Sequence, residues 1–395
     1  MSDQEYLMSE KKKNVIASAK IINGGDLLVS DSLLAYHRQE DGTFDFSSIF
    51  KYVSEYVKAA DYAVINLETC MGKPGDYCGF PRFRSPDSII EAARDAGFKM
   101  FLTASNHSYD WGVEGVIHKL DCLDKYSVDH IGIRRSVEEP LHKIVDVNGI
   151  KIGMLNYTKV SRASRRFRMI MNVAVNRKTG KKEKVIVDRK GRELISLFRE
   201  NRPKAFGETL KRDVEVLREQ GADIIAVYPH WGTEYMIEWD FWQDLNAQLM
   251  CDAGVDVIVG SHPHVVQPVK VYTSEVSGKT TVCLHSMGNF VSSMNAEHEK
   301  ENAAYTEDGA LFEYTVEKYE DGTAAVVHAD VLPTWVKRKR QEREFIVIPL
   351  EKDVDWKERF DTVNYSTRVS SGFQSRQRTR KLVAKGLKEF NRLHK

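Results

Sequence analysis

His262-Pro263-His264 is the densest piece of chemistry in the chain. Two imidazoles at i and i+2 of an extended segment project to one side, so both can face one ion, and the proline between them stiffens the segment. The other candidates come singly. Asp26 follows Gly24-Gly25, where an aspartate alone reads as a turn residue, and Glu68 closes Asn66-Leu67-Glu68, where a lone acid reads as a solvated charge or one at a helix start. Asn106 precedes His107 where a helix begins, with Asp110 and Gly112 behind them; capping explains the asparagine but not the histidine beside it. His230, followed by Trp231, Gly232, Glu234 and Tyr235, reads by itself as a core histidine.

Taken together, Asp26, Glu68, Asn106, His230, His262 and His264 are the ligand types of a two-metal centre. A carboxylate between two ions bridges them, and ions about 3.5–4 Å apart activate a water while stabilising the leaving atom. Imidazole with carboxylate and amide oxygen suits Zn, Mn, Fe, Co or Ni better than it suits a thiolate metal. One or two divalent transition-metal ions, Mn, Zn or Fe, are therefore the expected cofactor.

These residues recur at one place in a repeating pattern: an amphipathic helix, a glycine or alanine, a short apolar strand, then a polar cluster. Helices around Ile49–Ala60, Ser88–Ala96, Leu210–Gln220 and Trp242–Ala253 precede strands at Asp61–Ile65, Lys99–Leu102, Asp223–Val227 and Asp256–Val259. Glycine after a helix fits the C′ position, and short apolar strands without polar alternation fit a sheet covered on both faces. The alternation argues for an α/β protein, and parallel strands would bring every cluster to their carboxyl ends, where open α/β sheets place ligands. Further on, Gly309–Val316 and Ala324–Leu332 read as strands joined by an Asp321-Gly322 hairpin, Phe345–Leu350 as another strand, and Arg376–Leu393 as a terminal amphipathic helix.

The chain has 395 residues, 42% hydrophobic and 29% charged, with a formal charge of +1, which excludes disorder and leaves room for one large domain or two modest ones. Five cysteines without CxxC spacing suggest neither a disulfide framework nor a zinc ribbon, and a reducing compartment is the simpler reading. Met1–Lys20 is polar, and no run of about 18 apolar residues occurs, so a cytoplasmic chain without a membrane anchor is expected. Between Lys159 and Arg192 there are 13 Lys and Arg against Glu183 and Asp188, a net +11 in a chain otherwise acidic. This block is either a solvated surface loop or an anion-attracting lid in which Arg162, Arg165, Arg166 and Arg168 clamp carboxylates or phosphates. Nucleic acid is not an expected partner, because aromatic residues are not interleaved with these charges or with Lys337–Arg340. A homo-oligomer is left open.

The ordered series Gly25-Asp26, Asn66-Leu67-Glu68, Ser105-Asn106-His107-Ser108-Tyr109-Asp110-Trp111-Gly112, His230–Tyr235, Gly260–Gln267 and Ser286–Phe290, with Phe83-Arg84-Ser85-Pro86 in support, resembles the CapA family of capsule or poly-γ-glutamate synthesis proteins. That family belongs to the calcineurin-like metallophosphoesterase superfamily. The resemblance implies an α/β, metallophosphoesterase-like layered β-sheet sandwich flanked by helices. A domain over residues 14–335 would carry a basic insertion or lid at 159–206, and a C-terminal β/α extension would follow at 336–395.

By position, the resemblance assigns Asp26, Glu68 and His264 to one ion and Glu68, Asn106, His230 and His262 to the other, with Glu68 as the bridge. His107 would aid the leaving group and Asp110 would orient it. The superfamily commonly has a histidine two positions after its first aspartate; Leu28 stands there in this chain, so the first ion has one ligand fewer. Glu234, Arg162, Arg165, Arg166 and Asn289 are candidates for substrate contact, Asn289 being equally readable as a strand terminator. The implied activity is metal-dependent hydrolysis of an amide (γ-glutamyl or peptide-like) or phosphoester bond in an anionic small molecule or polymer, through a metal-activated water. The alternative is a non-hydrolytic accessory protein of capsule or polyglutamate synthesis that binds polymer or synthase.

Overall fold

A computed structural model describes residues 13–160, 173–175, 182–184, 189–295, 297, 301–339, 343–352 and 372–394. Its first large sheet runs in the order β19 (Glu344–Pro349), β18 (Ala324–Lys339), β17 (Asp308–Tyr319), β1 (Val15–Leu27), β2 (Tyr62–Leu67), β5 (Met100–Leu102) and β6 (Asp129–Ile131), with β16 (Asn289–Val291) added beside β1. The second runs β11 (Leu197–Phe198), β8 (Ile150–Lys159), β12 (Ile224–His230), β13 (Val257–Val259), β15 (Thr280–Leu284) and β14 (Val269–Thr273), with β7 (His142–Val147) on β8. Two small ladders complete the described strands: β3 (Cys70–Met71) with β4 (Arg84–Ser85), and β9 (Val173–Val175) with β10 (Lys182–Lys184).

Side-chain alternation explains why the strands read as unbroken apolar runs. Ile21, Val64, Met100 and Leu102 point from the first sheet onto Ile152, Met154, Ala226, Tyr228, Val257 and Val259 of the second. Their neighbours Ile22, Ala63, Ile65 and Phe101 point outward onto Ile49, Phe50, Ile89 and Ala93 of the helical layer. On the other flank Leu155, Ile225, Val227 and Ile258 meet Leu210, Val214, Ala247 and Met250. The short parallel strands β2, β5 and β13 are therefore apolar at nearly every position because both of their faces have a cover. The result is helix, sheet, sheet, helix, the layered sandwich that the resemblance implies.

The strands β1, β2, β5 and β6 are mutually parallel, as are β8, β12, β13 and β15. Gly97, Gly221 and Gly254 sit just after helices with φ of +113°, +89° and +89°, the C′ role expected of them. One expected helix differs: 49–60 is divided into Ser47–Phe50 and Ser54–Lys58 by a turn in which Val53 N donates to Phe50 O. Another begins early, at Pro203, with the proline in its first turn, where its missing N–H costs nothing.

The hairpin of β17 and β18 turns at Asp321-Gly322, with Gly322 at φ +80° and Thr323 N donating to Asp321 Oδ1. The helix Gly372–Leu393 packs Val383, Leu387 and Phe390 into the inter-sheet core, and Asn391 bonds both backbone groups of Ala329 in β18. No helix among the described residues is long and apolar enough to cross a membrane.

Candidate metal centre

Every candidate ligand lies at or just beyond the carboxyl end of a parallel strand. In β1 the register with β2 slips between Gly24 and Asp26, a bulge that re-aims the aspartate, and Asn66 Nδ2 donates to its Oδ1 at 2.8 Å. Glu68 follows β2, its N–H donating to Leu27 O. After β5 the chain makes a tight turn in which Ser108 Oγ accepts from Ser105 N and Ser105 Oγ accepts from His107 N, presenting Asn106 and His107. His230 ends β12. His262 and His264 follow β13, but not on the extended segment expected: both have positive φ, +97° and +59°. That conformation is costly for residues with a Cβ and is held where the surroundings over-determine it. Its effect is to turn the two imidazoles toward different partners.

Two donor groups result. Around Nε2 of His230 stand Asn106 Oδ1 at 2.8 Å, His262 Nδ1 at 3.1 Å and Glu68 Oε1 at 3.3 Å. Around Nδ1 of His264 stand Asn289 Oδ1 at 3.0 Å, Asp26 Oδ2 at 3.2 Å and Glu68 Oε2 at 3.9 Å. Glu68, Asp26 and the three histidines are all buried, and within each of the triads Glu68/His230/His262 and Asp26/Glu68/His264 the ligand atoms lie within 4.8 Å of one another. An ion with four bonds of 2.0–2.2 Å in a tetrahedron spaces its donors about 3.4 Å apart, the scale of both groups.

Both oxygens of Glu68 lack a hydrogen-bond donor, since the approach of His230 is close without hydrogen-bond geometry. A fully buried carboxylate left this way is expensive unless a cation or proton faces it. The donor chemistry therefore fits divalent ions. His230 is fixed from behind, its Nδ1 lying 2.9 Å from Ser261 Oγ, which commits Nε2 to the cluster.

The charges around the cluster polarise it. Burial alone would raise the Asp26 carboxyl, but the hydrogen bond and charge of His264 hold it below its ordinary value. Burial alone would likewise lower His264, and the carboxylates of Glu68 and Asp26 instead push it up to about 10. His262 is held far below the ordinary imidazole value by burial, then by the positive charge of Lys159. It is thereby kept neutral, the state in which imidazole binds a cation.

His107, next after Asn106 in the chain, is bonded outside both donor groups. Its Nδ1 lies 2.8 Å from Asp110 Oδ2, an oxygen that also accepts from Phe83 N at 3.0 Å, and its ring meets Phe83 edge to face at 4.6 Å. Burial opposes its charge, yet Asp110 outweighs burial and raises its pKa. Holding Nδ1 this way leaves Nε2 for proton transfer.

Of the other expected residues, Asn289 is buried beside His264, whereas Glu234 is exposed, close enough for its charge to act on His264. Arg162, Arg165, Arg166 and Arg168 lie outside the described residues. Arginines are nonetheless present at this end of the second sheet: Arg192, Arg199 and Arg202 line a cavity of about 410 Å³ with Val160, Phe198 and Phe206. Beside it Glu200 sits 3.8 Å from Lys159 and accepts from Gly232 N, two residues beyond His230.

Sequence reasoning also missed Lys119. It is fully buried, donates to Leu67 O at 2.7 Å and is drawn down to about 8 by burial despite the nearby carboxylates of Glu68 and Asp110. Its signal was available: a lysine on the apolar stripe of the helix Gly112–Lys125, among Val116, Leu120 and Leu123.

A layered α/β sandwich with histidines, carboxylates and an amide gathered at its strand ends makes a candidate cation site, and the sequence relatives give the family. Residues 20–294 match the family described as bacterial capsule synthesis protein PGA_cap, and the chain belongs to that family. It is 28% identical over 322 residues to the PGA biosynthesis protein CapA of Bacillus subtilis, covering 78% of this chain and 73% of that protein. To the capsule biosynthesis protein CapA of Bacillus anthracis it is 25% identical over 313 residues, covering 78% of this chain and 66% of that protein. The crystal structure of the calcineurin-like phosphoesterase YfkN from Bacillus subtilis aligns with a TM-score of 0.42 at 14% identity, over 83% of this chain and 94% of that one.

Proposed function

We propose that this member of the capsule synthesis family is a metal-dependent hydrolase acting on an amide or phosphoester bond of an anionic substrate. The observation that carries the reading is Glu68, whose two donor-less oxygens each face a separate group of N and O ligands. Asn106, His230, His262 and Glu68 would hold one divalent ion, and Asp26, His264 and Glu68 the other. Such ions, when bound, supply a Lewis acid for the scissile carbonyl or phosphoryl group and acidify a water near it.

The chain's own residues would complete the chemistry. His107, its pKa raised by Asp110, would offer an acid from Nε2 to the departing nitrogen or oxygen. Phe83 and the surrounding burial keep water from competing for that proton. Arg192, Arg199 and Arg202 would pair substrate carboxylates or phosphates through planar, bidentate hydrogen bonds. Five free cysteines support a reducing, cytoplasmic setting.

The test is metal content by elemental analysis, followed by hydrolysis assays on γ-glutamyl amides and on phosphoesters. About two ions per chain with turnover on one substrate class supports the reading; no ion after reconstitution with Mn or Zn overturns it. The names of both relatives speak of biosynthesis, and this favours one competitor, an accessory protein that binds polymer or synthase without cleaving. Binding of an oligoglutamate that persists, with no turnover in the wild type or in His107→Ala, would establish that competitor.

A further inference from the structure

We propose that Oδ1 of Asn289 is the fourth donor of the cation site formed by Asp26, Glu68 and His264, an inference that rests on the metal-centre reading above. Orientation is the first argument. Nδ2 of Asn289 donates to two backbone carbonyls, His264 O at 3.2 Å and Thr306 O at 2.9 Å. A carbonyl only accepts, so the amide cannot be flipped without losing both bonds, and Oδ1 is committed to the opposite side. There it lies 3.0 Å from His264 Nδ1, the nitrogen that also faces Asp26 Oδ2 and Glu68 Oε2.

Topology supplies the second argument. β16 is parallel to β1 with Asp26 and Asn289 as register partners, so adjacent strands set the carboxylate and the amide side by side. The nearest alternative, Leu28 just past the end of β1, is buried and has no ligand atom on its side chain. Two close backbone approaches fix the pairing. A Cβ on Gly25 would meet Gly288 O at 2.1 Å, and Asp26 N donates to that same oxygen at 3.0 Å.

The third argument is the correspondence between the two groups. One has Glu68 Oε1, a histidine nitrogen, the Asn106 amide oxygen and a second imidazole. The other then has Glu68 Oε2, a histidine nitrogen, the Asn289 amide oxygen and a second carboxylate. With three oxygens and one nitrogen, the Asn289 site is the harder of the two, and it should prefer Mn(II) where the two-imidazole site prefers Zn(II).

The experiment uses the full chain stripped with chelator and titrated with Mn(II) and separately Zn(II), bound ions being counted by calorimetry and free Mn(II) by electron paramagnetic resonance. Wild type is expected to bind two ions. Asn289→Ala should keep one at unchanged affinity and weaken the other, the Mn(II)-preferring one, by roughly 100-fold or more, the upper end of what loss of an outer-shell partner costs. Asn289→Asp keeps an oxygen while losing both Nδ2 bonds, and it should retain two ions. His262→Ala should spare the Mn(II)-preferring ion. The proposal is overturned if Asn289→Ala binds both ions as wild type does. It is equally overturned if Asn289→Asp is as weak as the alanine variant, because the grip of Nδ2 on the His264 backbone would then be the cause. A wild type that binds no ion overturns the metal-centre reading itself, a result distinct from either.

Discussion

Oδ1 of Asn106 and Nε2 of His230 stand 2.8 Å apart although the first follows a strand of one sheet and the second ends a strand of the other. The donor groups thus stitch the two layers together at one edge, and ions held there should act as a clamp. At a free-ion concentration 100 times Kd, linkage gives about 2.7 kcal/mol of added stability. Thermal melts with and without chelator should show a Tm that rises with metal in wild type. Glu68→Gln should lose most of that rise, because the carboxylate shared by the two donor groups is gone. A variant still stabilised by metal to the wild-type extent would show that Glu68 is not a ligand.

Nδ1 of His107 is held by Asp110 and by no member of either donor group, so substitution of these two residues tests proton transfer separately from ion binding. His107→Ala is expected to lower kcat by about 10²–10⁴ with metal content unchanged. Asp110→Asn should lower it less and should move the alkaline limb of the kcat profile to lower pH, because the carboxylate that raises the pKa of the acid His107 has been neutralised. Loss of ions in either variant would mean that the turn from Ser105 to Asp110 is built for ligand placement instead.

Two adjacent glycines in β1 face different neighbours, and the contrast is a direct check on the packing of β16. A Cβ on Gly24 meets the rings of Phe290 at 3.1 Å and Phe98 at 3.3 Å, which can shift by tenths of an ångström; one on Gly25 meets the Gly288 carbonyl at 2.1 Å. Gly25→Ala should therefore destabilise by about 3 kcal/mol or more in urea unfolding and Gly24→Ala by no more than about 1. Equal losses would contradict the close approach of these backbones.

The repeating helix, glycine, apolar strand and polar cluster was legible because each physical cause is local: a C′ glycine, a covered strand, a donor at the strand end. Asp26, Glu68, Asn106, His230, His262 and His264 could be read for the same reason, as metal-ligand types following apolar runs. The positions that escaped, or that were read in another role as Asn289 was, are those whose surroundings come from a partner distant in sequence. Asn289 gains its place from a parallel pairing with β1 some 260 residues away, and its side-chain direction from carbonyls of His264 and Thr306. Lys119 is intelligible only once Leu67 and Glu68 lie against its helix. The positive φ of His262 and His264 follows from neither residue type; proximity in sequence suggested one shared face, and the backbone gives them two.

His285 supplies a pH dependence independent of the metal centre. It is fully buried, its ring stacked 4.5 Å from Trp239 and 6.2 Å from Trp231, with Nδ1 donating to Pro268 O and Nε2 2.9 Å from the Tyr272 hydroxyl. Burial pulls its pKa down to about 4 from an ordinary 6.5. Between those values the unfolded chain binds the proton and the folded chain does not, so stability is fully present above pH 6.5 and is lost as pH falls toward 4. At 1.36 kcal/mol per unit, the loss between pH 7 and 4.5 from this group is about 2 to 3 kcal/mol. Urea unfolding of wild type and His285→Gln at the two pH values isolates it, because all other titrations are common to both. The stability advantage of wild type over the variant should shrink by that amount at the lower pH; an advantage that stays constant would mean that His285 carries its proton in the folded state.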